Sequence, residues 1–163
     1  MLLPLQNLHQ SRSDYLLSFV FARLIFLVLE VGAVIIFARL MFSYTMQGSL
    51  TAMVSLVLTG AFAFSGIGLL LASRATTLEG ASGLINLVMM PMWLLSGTFF
   101  SSERFPAFLQ PFIKVLPLTA LNDALRAVMN EGTTLADNVT LLCVLLAWAV
   151  LSFIIALKVF RWQ

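Results

Sequence analysis

The residues able to do chemistry in this chain are few, and they gather in three places. The densest lies between Pro117 and Gly132, where Asn122, Asp123, Arg126 and Asn130 recur at helical spacing. A second pair, Arg23 and Glu30, sits in an otherwise apolar run. Seven residues is nearly two turns, so the two share one helix face. An ionised group at mid-bilayer costs roughly 2.5–3.5 kcal/mol on insertion scales and usually faces a bundle interior. Arg23 and Glu30 therefore either line a substrate path or gate, or Glu30 meets a partner on another helix while Arg23 snorkels to the surface. The third place is a run of phenylalanines, Phe99, Phe100, Phe105, Phe108 and Phe112. These suit a hydrophobic gate for an amphipathic substrate or an aromatic anchor at the membrane interface.

Catalytic groupings are missing. No G-x-x-x-x-G-K-[ST] loop occurs, so the chain does not bind ATP in that manner. His9 is the sole histidine and has no Cys or Ser placed to form a dyad. Cys143 is the sole cysteine, which excludes an internal disulfide and an ordinary Cys/His metal site. The expectation is a protein without enzymatic activity of its own, with no catalytic, cofactor-binding or metal-binding residues.

The elements that hold these residues are written in the composition. Of 163 residues 61% are hydrophobic and 10% charged, and the mean hydropathy is +1.03. Soluble domains run near half apolar and a quarter charged, so this is an integral membrane protein. A net charge of +2 without a basic cluster gives no case for nucleic acid. The predicted organisation is a single membrane domain over residues 1–163, all-α, with four transmembrane helices and a re-entrant helical hairpin before the last. Residues 1–15 form a cytoplasmic lead-in, with Ser11 or Ser13 capping the first span. The spans are 16–42, 49–72, 80–100 and 139–158. The short loop at 73–79 and both tails carry Arg12, Arg74, Lys158 and Arg161, which places the termini in the cytoplasm and the hairpin outside.

Residues 101–131 are the unusual part. A Ser96-Gly97 break closes the third span, and Pro106, Pro111 and Pro117 then divide the next thirty residues into two short helices. The first is expected to start at Ser101 or Ser102, with Pro106 near its beginning, and the second at a Thr119 cap with Gly132 past its end. Each piece, about ten residues or ~15 Å long, is too short to cross a core of ~30 Å. Non-helical backbone survives in lipid only where protein or water satisfies it, so the hairpin needs a bundle and a protected mouth around it. In the second span, Ala61, Ser65, Gly68 and Ala72 form a small-residue stripe that lets another helix approach closely.

In this order and spacing the stretch resembles the C-terminal part of the type-two ABC exporter permeases. The resemblance is carried by the apolar run closing on Pro91, Leu95-Ser96-Gly97 and Phe99-Phe100. Phe105-Pro106, Leu116-Pro117-Leu118-Thr119 and Ala124-Leu125-Arg126 ahead of Gly132 come next. It extends through Gly66-Ile67-Gly68-Leu69-Leu70-Leu71-Ala72-Ser73, and Leu3-Pro4-Leu5 resembles the family's segment entering its third helix. The resemblance implies a membrane subunit that moves an amphipathic or hydrophobic substrate outward by alternating access. It implies a homodimer or paired permease in the cell (inner) membrane, with a cytoplasmic ABC ATPase subunit carrying ATP and Mg. By the same likeness, Phe105, Pro106, Pro117, Asp123 and Arg126 belong to an external hairpin that Asp123 and Arg126 hold in place. Measured against the family's usual six spans, the first two are expected to be missing here. A different class stays open: a membrane scaffold or accessory subunit that transports nothing and whose hairpin binds a partner. Bilayer lipid is a partner under either reading.

Overall fold

A computed structural model describes residues 12–75, 77–99 and 104–159, and among them every regular element is a helix. In chain order these are α1 (Arg12–Phe42), α2 (Leu50–Ala72), α3 (Leu78–Leu95), α4 (Gln110–Val115), α5 (Pro117–Glu131) and α6 (Val139–Val159). Four of them are long and apolar enough to cross a membrane, over Phe21–Phe42, Leu50–Ala72, Leu78–Leu95 and Val139–Lys158. The lead-in expected at 1–15 lies outside the described residues up to Ser11. Ser13, one of its two expected caps, falls inside α1. Contacts divide the chain into two units, the first holding α1 and the second everything from Met46 onward. Arg23 and Glu30 lie on α1 with exposed side chains.

Sequence chemistry accounts for the helix ends in the second unit. Ser49 caps α2, its Oγ accepting from the Thr51 N–H at 3.2 Å. Thr77 caps α3 through the Gly80 N–H at 3.0 Å, with Glu79 in the first turn where the helix dipole favours an anion. Pro91 is inside α3, and the helix stops at Leu95 rather than running to 100. Asn138 precedes α6; its carbonyl accepts from Leu142 N–H at 3.0 Å and its amide donates to Thr133 Oγ1 at 2.8 Å and Thr134 O at 2.9 Å.

The core of this unit is three helices deep. α2 and α6 run the same way: Thr59 and Phe62 meet Leu146 and Ala149, and Gly66 faces Ser152 and Phe153. α5 runs against α2, with Val128 beside Gly48 and Leu121 beside Gly60. Leu56, Ala63, Ala120, Ala124, Val128 and Leu145 are completely shielded where the three helices meet. Small side chains allow this. In lipid the association rests on close packing rather than on expulsion of water, so alanine and glycine at the contact count most.

The packed face of α2 is Met53, Leu56, Gly60, Ala63 and Ile67. The stripe of Ala61, Ser65, Gly68 and Ala72 is rotated off that face. Ser65 and Ala72 are exposed, Ala61 and Gly68 half-buried, and a Cβ placed on Gly68 would meet nothing within 4 Å.

Candidate functional site

The candidate site is the hairpin of α4 and α5. Both of its helices open with proline near the first position, Pro111 in α4 and Pro117 in α5, and neither has a side-chain cap. Proline suits that position because its fixed φ is helical and its missing N–H would have no intrahelical acceptor. This overturns two expectations. Thr119 does not cap the second helix but lies inside it, 2% exposed, with its Oγ1 lacking a partner. The first helix was expected to have Pro106 near its beginning, but α4 opens at Gln110 with Pro111 in its first turn, and Pro106 lies before it in a turn closed by Leu109 N–H to Pro106 O at 2.9 Å. The Phe105 carbonyl accepts from Gln110 Nε2 at 3.1 Å. Ser101 and Ser102, where the first helix was expected to start, lie outside the described residues. Gly132 ends α5 in the left-handed conformation, φ 69°, where glycine pays no Cβ penalty.

Three contacts pin α5. Its polar side reaches the break after α3, where Gly97 takes φ 77° and the helix cannot continue. Arg126 donates through a guanidinium nitrogen to Gly97 O at 2.6 Å. Asn122 donates to Thr98 Oγ1 at 2.9 Å and, more weakly, to Ser96 O and Oγ at 3.4 Å. Ser96 Oγ, shielded with the rest of its residue, is also 2.8 Å from Thr98 Oγ1. Asp123 stands 3.9 Å from Arg126, a half-exposed ion pair one turn away on α5. Burial raises the Asp123 carboxyl above its ordinary range, and the Arg126 charge partly offsets this. At its other end α5 receives Gln47 N–H on Met129 O at 3.0 Å. Gly48 there lies so close to Val128 that a Cβ would fall on the Val128 carbonyl oxygen.

Sequence reasoning put Asp123 and Arg126 in the hairpin. Their target on the α3 break, the part taken by Asn122, and the role of Gly48 were not expected. A contact on the other helix had no signal at all: Trp148 Nε1 of α6 donates to Val115 O, the last residue of α4, at 2.8 Å. The phenylalanines divide. Phe99, Phe108 and Phe112 are 66–71% exposed and Phe105 is half-buried, whereas Phe100 lies outside the described residues. An apolar groove of about 420 Å³ also opens between α2 and α6 at Thr59, Phe62, Leu146 and Val150, with no ionisable side chain in its lining.

Among the described residues no cluster of His, Cys, Asp or Glu could hold a metal ion. The fold and the latched hairpin define an all-helical membrane protein. Its sequence matches the ABC-2 type transporter family model over residues 5–130, and the chain belongs to that family. It is similar to the linearmycin resistance permease protein LnrN of Bacillus subtilis (strain 168), 27% identical over 114 residues. The match covers 70% of this chain and 30% of that protein, so the chain spans less than a third of the relative's length. No solved structure matches.

Proposed function

We propose that the chain is a membrane-spanning permease subunit, or the C-terminal part of one, of an ATP-driven ABC exporter. The observation that carries this reading is the family match, which runs through the whole latched hairpin to Asn130. The relative's name as a resistance permease favours outward movement of an amphipathic or hydrophobic compound. Two permease units enclose the path, and a cytoplasmic ATPase subunit, which carries ATP and Mg, drives them between inward-open and outward-open states. The chain sits in the inner membrane with both termini cytoplasmic.

Within this scheme α4 and α5 dip into the outer leaflet and return. At 15 residues α5 is about 22 Å long, short of the ~30 Å core, which suits a re-entrant arm. The latch of Asn122 and Arg126 on Ser96–Thr98 makes the third span and the hairpin move as one piece. Arg23 and Glu30 on α1 supply polar groups to the bundle interior or the path.

The test has two arms. The tagged chain, purified from membranes with its neighbouring genes expressed, brings down a nucleotide-binding subunit, and the pair exports an amphipathic dye in vesicles on addition of ATP. Purification without such a subunit, under conditions that keep the chain folded, contradicts the reading. For orientation, Ala136→Cys, exposed in the turn before α6, reacts in a Cys143→Ala background with an impermeant thiol reagent from outside the cell; labelling only from the cytosol reverses the topology.

A further inference from the structure

The middle of α3 carries a polar group without a partner. Asn86 is eight residues from Leu78 and nine from Leu95, hence ~12 Å and ~13 Å from the two ends of an 18-residue span. Its side chain is exposed and has no hydrogen-bond partner among the described residues. Other polar side chains in the spans satisfy themselves. Ser55 and Thr59 on α2 each donate to the carbonyl four residues back, at 2.8 Å. Asn86 makes no such bond, and an amide left bare in hydrocarbon is costly.

Asn86 also lies at the centre of a face that α2 and α5 leave open. At about 100° per residue, Glu79, Gly83, Asn86, Met90 and Trp93 fall within one arc, at alternating spacings of four and three. All five are exposed, Met90 63% and Trp93 50%. Met92 is buried on the other side of the helix, with Ala81, Leu84 and Val88 half-buried beside it. A four-three repeat is the seam along which two helices wind in a left-handed pair. A Cβ on Gly83 would meet nothing within 4 Å, so another backbone can come close one turn from the amide.

The chemistry selects the occupant. Hydrocarbon tails offer an amide nothing, and head groups lie at the ends of the span. Copies of one membrane protein share a topology, so a twofold axis along the membrane normal sets each seam residue against its own counterpart. A carboxamide has two N–H donors and a carbonyl acceptor, and is therefore its own complement. Glu30, within the α1 span, lacks that property, because the same axis would set carboxylate against carboxylate. Glu79 falls at the helix end, where water and salt screen the like charge. We propose that two copies of the chain pair through this face of α3, with the two Asn86 amides hydrogen-bonded to each other and Gly83, Met90 and Trp93 packed around them. The pairing rests on the permease reading for its role, as the contact that joins two units around a path.

The test uses the full chain, labelled with donor or acceptor dye at its single cysteine, Cys143, and reconstituted in phosphatidylcholine vesicles. Energy transfer is followed as lipid is added. Asn86→Leu moves the midpoint about tenfold towards higher protein-to-lipid ratio, as ~1.4 kcal/mol from the amide pair gives. Asn86→Gln, which keeps the amide, stays near the parent. In a Cys143→Ala background, Met90→Cys oxidises to a linked dimer, whereas Val150→Cys, similarly exposed but on α6, does not. A midpoint unmoved by Asn86→Leu, a link at Val150→Cys and none at Met90→Cys, or a chain that stays monomeric at every ratio overturns the pairing. Neither ATP nor an ATPase enters these measurements. A failed pairing therefore leaves co-purification of a nucleotide-binding subunit to decide the permease reading, and pairing in a chain that binds no such subunit sinks that reading alone.

Discussion

The two arms of the hairpin begin alike and end differently. Both α4 and α5 open with Leu then proline within two residues, and neither has a side-chain cap. α5 then buries Pro117, Thr119, Ala120, Ala124 and Val128, while α4 buries only Ile113. The difference lies in the residues after the proline. α5 places Ala120, Ala124 and Val128 at i, i+4 and i+8, a narrow face that brings the Val128 backbone against Gly48, just before α2, while the Leu121 side chain meets Gly60 of α2. α4 places Phe112 and Lys114 there instead, too large and too polar for such an approach. One arm is therefore an anchor and the other a presented surface. Buried small residues hold α5 against its neighbours, whereas α4, with large exposed side chains, is held through Ile113 and the Trp148 bond.

The strongest way to break that contrast is to fill the close approach under the anchored arm. Gly48→Val sets a branched side chain onto the Val128 carbonyl, which is backbone and cannot step aside. Overpacking of this kind costs up to ~3 kcal/mol, and the expected result is a large loss of thermal stability in detergent and a hairpin open to protease. Gly48 lies just before the Ser49 cap of α2, and the control is Gly68→Ala, at a glycine inside that helix. With open space around it, it costs nothing and gains up to ~1 kcal/mol of helix propensity. Equal effects of the two variants would mean that α5 is not seated on α2 at Gly48.

The next effect is at the latch. Arg126→Ala removes the 2.6 Å donor to Gly97 O and frees Asp123. A hydrogen bond from a charged group is worth about 1.5–3 kcal/mol, and since half of this side chain is exposed the lower end applies, ~1.5 kcal/mol. Hydrogen exchange at Thr98 and Phe99 should rise in step, and Arg126→Lys should restore little, since one point donor does not replace a planar fork. Full protection of those amides in Arg126→Ala would show that the guanidinium does not hold the break.

How much of this could be read from the chain depends on how local the cause is. Gly97 and Gly132 were legible because a break and a helix stop are decided within a few residues. The proline at 117 was read as a breaker and Thr119 as the cap, because hydroxyls usually cap and prolines usually interrupt. At the first position the proline wins, and the hydroxyl is carried inside. The family could be recognised from the order of the motifs, which local reading preserves. The latch partners are 24 to 29 residues apart, and nothing in one sequence ties Asn122 to Thr98 or Arg126 to Gly97. Gly60 and Gly66 are no more distinctive than Gly68 until the partner helices are in place, which is why the small stripe and the packed face of α2 differ.

A smaller prediction concerns the single tie that holds the presented arm. Trp148→Phe keeps the ring in place and deletes the N–H that reaches Val115 O. A neutral hydrogen bond contributes ~1 kcal/mol, so global stability falls slightly. Local exchange at Val115 and Leu116 should rise more than anywhere in α5. A uniform rise across both arms would indicate that they unfold as one unit and that the contrast between them is not energetic.

The smallest effect is at the return from α5 to α6. Asp137 accepts from the Thr134 N–H and from Thr134 Oγ1, both at 2.8 Å, and these bonds hold its carboxyl below the ordinary range, the backbone bond contributing most. A carboxylate with a depressed pKa in the folded state stabilises that state above its unfolded value, 3.8, and the contribution is lost as pH falls through the lower folded value. Protection of the Thr134 amide, corrected for intrinsic exchange, should hold from neutral pH down to about 4 and collapse below it. In Asp137→Ala it should be low at every pH. The core of α5, held by packing rather than by a titrating group, should keep its protection through the same window. Loss of α5 protection together with Thr134 would show that the anchored arm depends on the loop behind it, and would move the cause of anchoring from the small face on α2 to the turn after Gly132.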